Sequence, residues 1–166
     1  LIPHPGYGKP LSFDEVHQRQ TGKRQKIRSN NTVDHCIVDF RVRAMQKREP
    51  YGAANNPRVI STVPTIHNLG LSGYTLGLKR DVLESKPWYI PGKTPHEIEN
   101  RMRNFVGKYK RIISTDLSRC DGSITHDLKV NVEHAILKRW VAPEFRVDLC
   151  KYLRNELNPK ARSGRG

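Results

Sequence analysis

At 166 residues with 36% hydrophobic content, the chain can bury one core, which excludes disorder along most of its length and points to one domain or a piece of a larger one. Thirty Lys and Arg against sixteen Asp and Glu give a formal charge of +14 and a pI near 10.1. Such a field draws polyanions and releases counterions when phosphates bind, so nucleic acid is the natural partner, although charge alone names no reaction. Cys36, Cys120 and Cys150 lie far apart without C-x-x-C spacing, and the histidines complete no zinc pattern, so they read as free thiols in a reducing compartment. No run of about 18 apolar residues occurs, and Leu1-Ile2-Pro3-His4-Pro5 is not a signal peptide, so a soluble, cytosol-facing piece is expected. Leu1 in place of an initiator Met, with Ser163-Gly164-Arg165-Gly166 closing the chain straight after a helical pattern, suggests a segment of something longer.

Residues 1–10, rich in Pro and Gly, read as an irregular lead-in. Ser12, followed three residues later by Glu15, forms a capping box that opens a basic helix to about Arg28. That helix carries Arg19, Lys23, Arg24, Lys26 and Arg28; taken alone, such a run is as readily a solvated face as a binding one. Asp34 to Met45 alternates in part and reads as a strand, and Pro57-Arg58-Val59-Ile60-Ser61 as a second, with Gln46 to Gly52 turn-rich between them. The simplest geometry is a hairpin of basic strands. Thr65 to Glu84 favours helix despite three glycines.

Thr94-Pro95-His96-Glu97 combines a Thr cap, Pro in the first turn and Glu at the third position, so a helix follows. Its Ile98, Met102, Phe105 and Tyr109 are spaced as a core stripe. Trp88-Tyr89, beside Pro87 and Pro91, reads as an anchor for its loop more than a base-stacking platform. Arg111 to Leu117 has the β-branched content of a buried strand, with Asp116 near its end and Ser118 to Gly122 as a turn. Ser123 to Trp140 is a helix with Ile124, Leu128, Val132, Ala135, Ile136 and Trp140 on one stripe, and Ala142-Pro143-Glu144 opens a last helix.

The chemistry centres on Thr115-Asp116-Leu117-Ser118-Arg119-Cys120-Asp121-Gly122. A carboxylate at a strand end suits Mg²⁺, which takes one or two carboxylates plus substrate phosphate oxygens. Asp121, brought round by the turn, would meet a nucleotide's sugar. Against this stands the plainer reading of Asp-Gly as a turn dipeptide and Asp116 as a helix-start anion. Lys47-Arg48-Glu49 leading to Arg58 offers a planar donor fork suited to a triphosphate, against the plainer reading of a surface arginine. His35, His67, His126 and His134 are scattered and read as structural or solvent-facing and not as ligands.

Together these stretches resemble the RNA-dependent RNA polymerases of the nodavirus-like and tombusvirus-like groups, with the nodavirus-like side closer. The residues carrying the resemblance are Pro10 to Val16 with Gln18 to Thr21, Gln46 to Gly52, Pro57 to Thr62, His67-Asn68-Leu69, Trp88 to Pro95, and Thr115 to Gly122. The resemblance implies an α+β fold, part of a right-hand polymerase, with residues 1–92 as the fingers region and 93–166 as the start of the palm. It places the phosphate contacts on Lys47 and Arg58, with Arg48 lesser, and the catalytic pair on Asp116, the metal ligand, and Asp121, the ribose selector. It puts Arg19, Lys23, Arg24, Lys26 and Arg28 near the template RNA. Implied partners are RNA template and product, nucleoside triphosphates, and the remainder of the polymerase chain. The implied cofactor is Mg²⁺, or Mn²⁺ in its place, and the setting a membrane-associated replication complex in host cytoplasm. Cys120 departs from the bulky apolar residue that relatives often carry there. The motif joining Ser-Gly with Asn and the Gly-Asp-Asp motif, which such polymerases also carry, are both missing, so the chain by itself is expected to be inactive. The competing reading is a non-enzymatic basic RNA-binding module, ribosomal or nucleocapsid-like; a reverse transcriptase is disfavoured because Asp121 suits a ribonucleotide sugar.

Overall fold

The computed structural model describes residues 2–35, 40–47, 49, 50, 52, 58–118 and 120–163, apart from the side chains of Asp121 and Ser163. Helices α1 (Phe13–Gln18) and α2 (Lys23–Asp34) precede strands β1 (Val42–Gln46) and β2 (Val59–Thr62). Helix α3 (Thr65–Leu78) widens into a π-type turn, Lys79–Leu83, and α4 spans Pro95–Val106. The short helices α5 (Cys120–Ser123) and α6 (His126–Leu128) come next, then a π-type stretch, Lys129–His134, running into α7 (Ala135–Trp140). A 3₁₀ turn, Pro143–Phe145, leads to α8 (Arg146–Leu157) and β3 (Ala161–Ser163). The fold is mixed helix and sheet, in agreement with the α+β expectation.

Both capping boxes form. The Glu15 amide donates to Ser12 Oγ at 3.3 Å and the Ser12 amide to Glu15 Oε2 at 2.8 Å; Glu97 and Thr94 repeat the exchange at 3.3 and 2.8 Å. The expected single basic helix is instead two, because Gly22 opens a new one, and α2 then runs on through Asp34, taking the start of the expected strand. The polar face of α2 supports that extension. Ser29 Oγ lies 3.0 Å from both Gln20 Oε1 and the Gln25 carbonyl, and Thr32 Oγ1 donates to the Arg28 carbonyl at 2.8 Å, so both residues are buried with their hydroxyls satisfied. Cys36 to Asp39 of the expected strand lie outside the described residues.

Among the described residues, three strands form one sheet in the order β2-β1-β3, with β2 antiparallel and β3 parallel to β1. The hairpin was expected; β3, a short run after the last helix, was not. The core gathers Ile2, Tyr74, Val82, Leu137, Trp140, Val141, Leu149 and Leu153 from both ends of the chain. The lead-in is irregular yet held: the Gly6 and Gly8 amides donate to the Arg139 and Trp140 carbonyls at 2.9 and 2.8 Å, and the Ala142 amide donates to Gly8 at 2.8 Å.

Two expected core features face outward. Helix α4 has no buried residue: Met102 and Phe105 are 51% and 53% exposed, and Tyr109 beyond it is also exposed. Residues 111–117 form no strand; Ile113 and Leu117 are 73% and 69% exposed. A strand needs a neighbour for its N–H and C=O groups, and none of the described strands pairs with this segment. Of the expected stripe in the following helical run, Ile124, Leu128, Val132 and Ala135 are exposed and Ile136 is half-buried; Trp140 is buried, with Leu137, outside that stripe, buried near it. Trp88 is exposed as well; its loop is braced by Arg101 Nη1, which donates to the carbonyls of Lys86, Pro87 and Tyr89 at 3.3, 3.1 and 3.0 Å. Among the described residues, no helix is long and apolar enough to cross a membrane.

His67 on α3 is buried, edge-on to Phe40 and Tyr152 at centroid distances of 6.4 and 5.6 Å. Its Nδ1 has no hydrogen-bond partner among the described residues. Burial holds its pKa below the ordinary 6.5, with the Glu156 carboxylate opposing. The fold therefore favours the neutral ring, and the stability this provides is complete above the unfolded-state value and declines as pH falls below it. Urea midpoints measured at about pH 7.5 and about pH 5 should drop toward acid, and His67→Phe should remove part of that drop; an equal drop in the variant would exonerate this residue.

Candidate nucleotide and RNA site

The hairpin brings the phosphate-grip candidates together. β1 and β2 pair from Arg43↔Thr62 to Gln46↔Val59, and one step beyond, the Lys47 amide donates to the Arg58 carbonyl at 2.8 Å. Residues 47 and 49 are two apart, the spacing that puts side chains on one side of an extended chain. Glu49 then binds both cations. Arg58 Nε donates to Oε2 at 3.0 Å and Nη2 reaches both carboxylate oxygens at 2.7 Å, while the Lys47 ammonium pairs with Oε1. Arg48 lies outside the described residues.

Glu49 is the member of this cluster that sequence reasoning passed over. Its signal was the one acid in a basic stretch, two positions from Lys47. The Lys47 hydrogen bond first, and Arg58 second, push its pKa down to about 2 from the ordinary 4.5. A lowered carboxylate pKa means the clamp is fully present above the ordinary value and is lost as pH falls through about 2. A carbon-detected NMR titration of Glu49 should place its midpoint near that low value, and Lys47→Ala should raise it, with Arg58 still holding it below the usual range; a wild-type midpoint in the usual range would contradict the clamp.

Asp116 is exposed in the irregular segment 111–118, and its Oδ1 accepts the Leu117 amide at 2.9 Å. The Ser118 to Gly122 turn is partly helical: α5 begins at Cys120 and places Asp121 in its one turn. Thr125 then caps α6, accepting the Leu128 amide at 3.2 Å. Among the described residues, no group of three or more His, Cys, Asp or Glu is arranged to hold a metal ion. Asp116 thus offers one carboxylate, open to solvent, which fits Mg²⁺ as a single donor among several and not as a complete site.

The basic candidates divide between two helices. Arg19 caps the end of α1, while Lys23, Arg24, Lys26 and Arg28 lie along α2, all but the half-buried Lys26 exposed.

Over 161 residues the chain is 38% identical to the RNA-directed RNA polymerase of Striped jack nervous necrosis virus, a match covering 97% of this chain and 16% of that polymerase. It is 35% identical over 150 residues to that of Pariacoto virus, covering 89% and 15%, and 28% identical over 163 residues to that of Flock house virus, covering 94% and 16%. No family model matches the chain, and no solved structure does. The chain belongs to the viral RNA-directed RNA polymerases of the nodaviruses, as a segment that spans 16% of the length of the first curated relatives it matches.

Proposed function

We propose that this segment supplies the nucleotide-phosphate grip and the first metal-binding aspartate of a template-directed ribonucleotidyl transferase that copies viral RNA. The observation that carries the reading is the Lys47–Glu49–Arg58 cluster, two cations brought to one place by strand pairing and held by a single carboxylate. A triphosphate offers the same oxygen chemistry as that carboxylate with more charge, so it can replace Glu49 as the acceptor of the Arg58 fork. In the reaction a 3′-hydroxyl attacks the α-phosphorus of the bound nucleotide, the new phosphodiester forms, and pyrophosphate leaves with the charge that Lys47 and Arg58 neutralise. Asp116 would hold Mg²⁺, or Mn²⁺ in its place, which when bound stabilises charge on the attacking and leaving oxygens. Asp121 would accept the ribose 2′-hydroxyl.

One aspartate does not make a two-ion site, so this segment is inactive without the rest of the polymerase. On this reading residues 1–92 are fingers and 93–166 begin the palm, and the exposed apolar stretch of α4 and residues 111–117 is where the remaining chain packs. The assembled enzyme would work in host cytoplasm, within a membrane-associated replication complex.

Two substitutions in the complete polymerase test the reading. Arg58→Ala should lower kcat/KM for nucleotides about tenfold to a hundredfold, the range for losing charge-assisted hydrogen bonds. Asp121→Ala should reduce the preference for ribonucleotides over deoxyribonucleotides by about tenfold or more, since a site built around a hydroxyl discriminates through that contact. Unchanged discrimination would remove Asp121 from the sugar site.

A further inference from the structure

We propose that an aromatic pocket between α1, α3 and α8 binds a small alkylammonium cation of the choline type. The pocket, about 360 Å³, is lined by Phe13 of α1, Tyr74 of α3, Phe145 of the 3₁₀ turn and Tyr152 of α8, with aliphatic side chains between them and Asp148 of α8. That volume suits a small ligand. Among the described residues that line it, Asp148 alone is charged. In a chain of formal charge +14, a pocket whose single charge is negative runs against the general field and sets the sign of its ligand. Aromatic faces attract cations through the ring quadrupole, and a methylated ammonium also gains from apolar walls.

The carboxylate is held in place. Buried Tyr74 donates its hydroxyl to Asp148 Oδ2 at 2.9 Å, and burial first, then this bond, hold the hydroxyl's pKa well above the ordinary 10.0. The phenol therefore keeps its proton and keeps donating. Asp148 Oδ1 has Lys151 Nζ at 3.9 Å, a pair between side chains 52% and 70% exposed, which is worth little in water and yields to a cation inside the pocket. The Tyr74 and Tyr152 rings stand 6.1 Å apart at 52°, two walls meeting at an angle. Gly70 leaves the space for the second wall, since a Cβ there would lie 2.2 Å from the Tyr152 ring.

The pocket shares no residue with the Lys47–Glu49–Arg58 cluster and does not include Asp116, so the proposal stands apart from the polymerase reaction. The cation has two sources, free choline and the choline headgroup of a phospholipid. Glycerophosphocholine, which carries that headgroup without acyl chains, separates them.

Equilibrium dialysis of labelled choline against the complete polymerase, at fixed ionic strength, should show saturable binding with Kd below about 1 mM. The uncharged isostere 3,3-dimethylbutanol should bind about tenfold or more weakly. Asp148→Asn, which keeps shape and still accepts the Tyr74 hydroxyl, should weaken choline about tenfold with the urea midpoint unchanged. Tyr152→Leu should weaken it to a similar degree, and Tyr152→Phe, which keeps the ring, should stay within about threefold of wild type, so that a lost aromatic wall is told apart from a lost fold. Glycerophosphocholine binding with the same dependence on Asp148 and Tyr152 supports the site as choline binding does, and the tighter of the two names the source. Equal binding of the uncharged alcohol, or choline binding indifferent to both Asp148→Asn and Tyr152→Leu, would overturn the site. So would the lack of saturable binding by both choline and glycerophosphocholine, the result expected if the rest of the polymerase fills this pocket.

Discussion

Asp116→Asn in the complete polymerase should cut nucleotide incorporation about a thousandfold or more while RNA affinity stays within about twofold. The substitution keeps shape and removes charge. Because Asp116 is exposed and its recorded hydrogen bond is to the adjacent Leu117 amide, the fold has little at stake. A metal at the reacting oxygens is worth several kcal/mol of transition-state stabilisation, and each 1.36 kcal/mol is about tenfold in rate. The two measurements have to be made together. A tenfold loss or less would show that the carboxylate is not a metal ligand, and a parallel loss of RNA affinity would mean that the site had been disturbed more broadly.

Trp140→Ala should cost about 3–5 kcal/mol of stability, the range for deleting a large aromatic from a packed core. Trp140 is fully buried, and its Nε1 donates to Asp81 Oδ2 at 3.1 Å, which ties α7 to the π-type turn after α3. The backbone closes around the ring. A Cβ added at Gly77 would stand 2.7 Å from the ring and 2.9 Å from the Lys9 carbonyl oxygen, and one at Gly8 would stand 2.1 Å from the ring. Gly77→Ala should therefore destabilise by about 1–3 kcal/mol through overpacking. Its effect should shrink when Trp140 is also replaced by Leu, because neighbours sharing one space are not additive. Urea unfolding followed by circular dichroism reads all three; a cost under about 1 kcal/mol for Trp140→Ala would place the core elsewhere.

The surface of α4 and the chain after it is unlike the exterior of an ordinary monomer. Met102, Phe105, Val106, Tyr109, Ile112 and Ile113 are all exposed, along one helix and the chain that follows it. Apolar stretches of this extent mark contact surfaces. In a segment spanning 16% of the length of its relatives, the proposed cover is the rest of the polymerase, and strands from that part would give Arg111 to Leu117 the sheet neighbours it does not have among the described residues.

The amino-acid sequence by itself determined the local structure and the kinship. Ser12 with Glu15, and Thr94 with Glu97, cap their helices through contacts within four residues, so no tertiary information is needed to read them. The β-branched run before α3 was legible as a strand from its composition, and the motif residues around Lys47, Arg58 and Asp116 carried the resemblance that the relatives bear out. Tertiary structure decided what depends on partners distant in the chain. Periodicity marked Met102 and Phe105 as residues suited to burial but could not say whether this segment would bury them, because burial belongs to the neighbour that covers a face. The parallel pairing of β3 with β1, the lead-in strapped across α7, and Arg43 beside Arg162 likewise join residues that only the folded chain brings together. Glu49 lies between these cases: its place beside Lys47 was legible, but its grip on Arg58 exists because the hairpin closes.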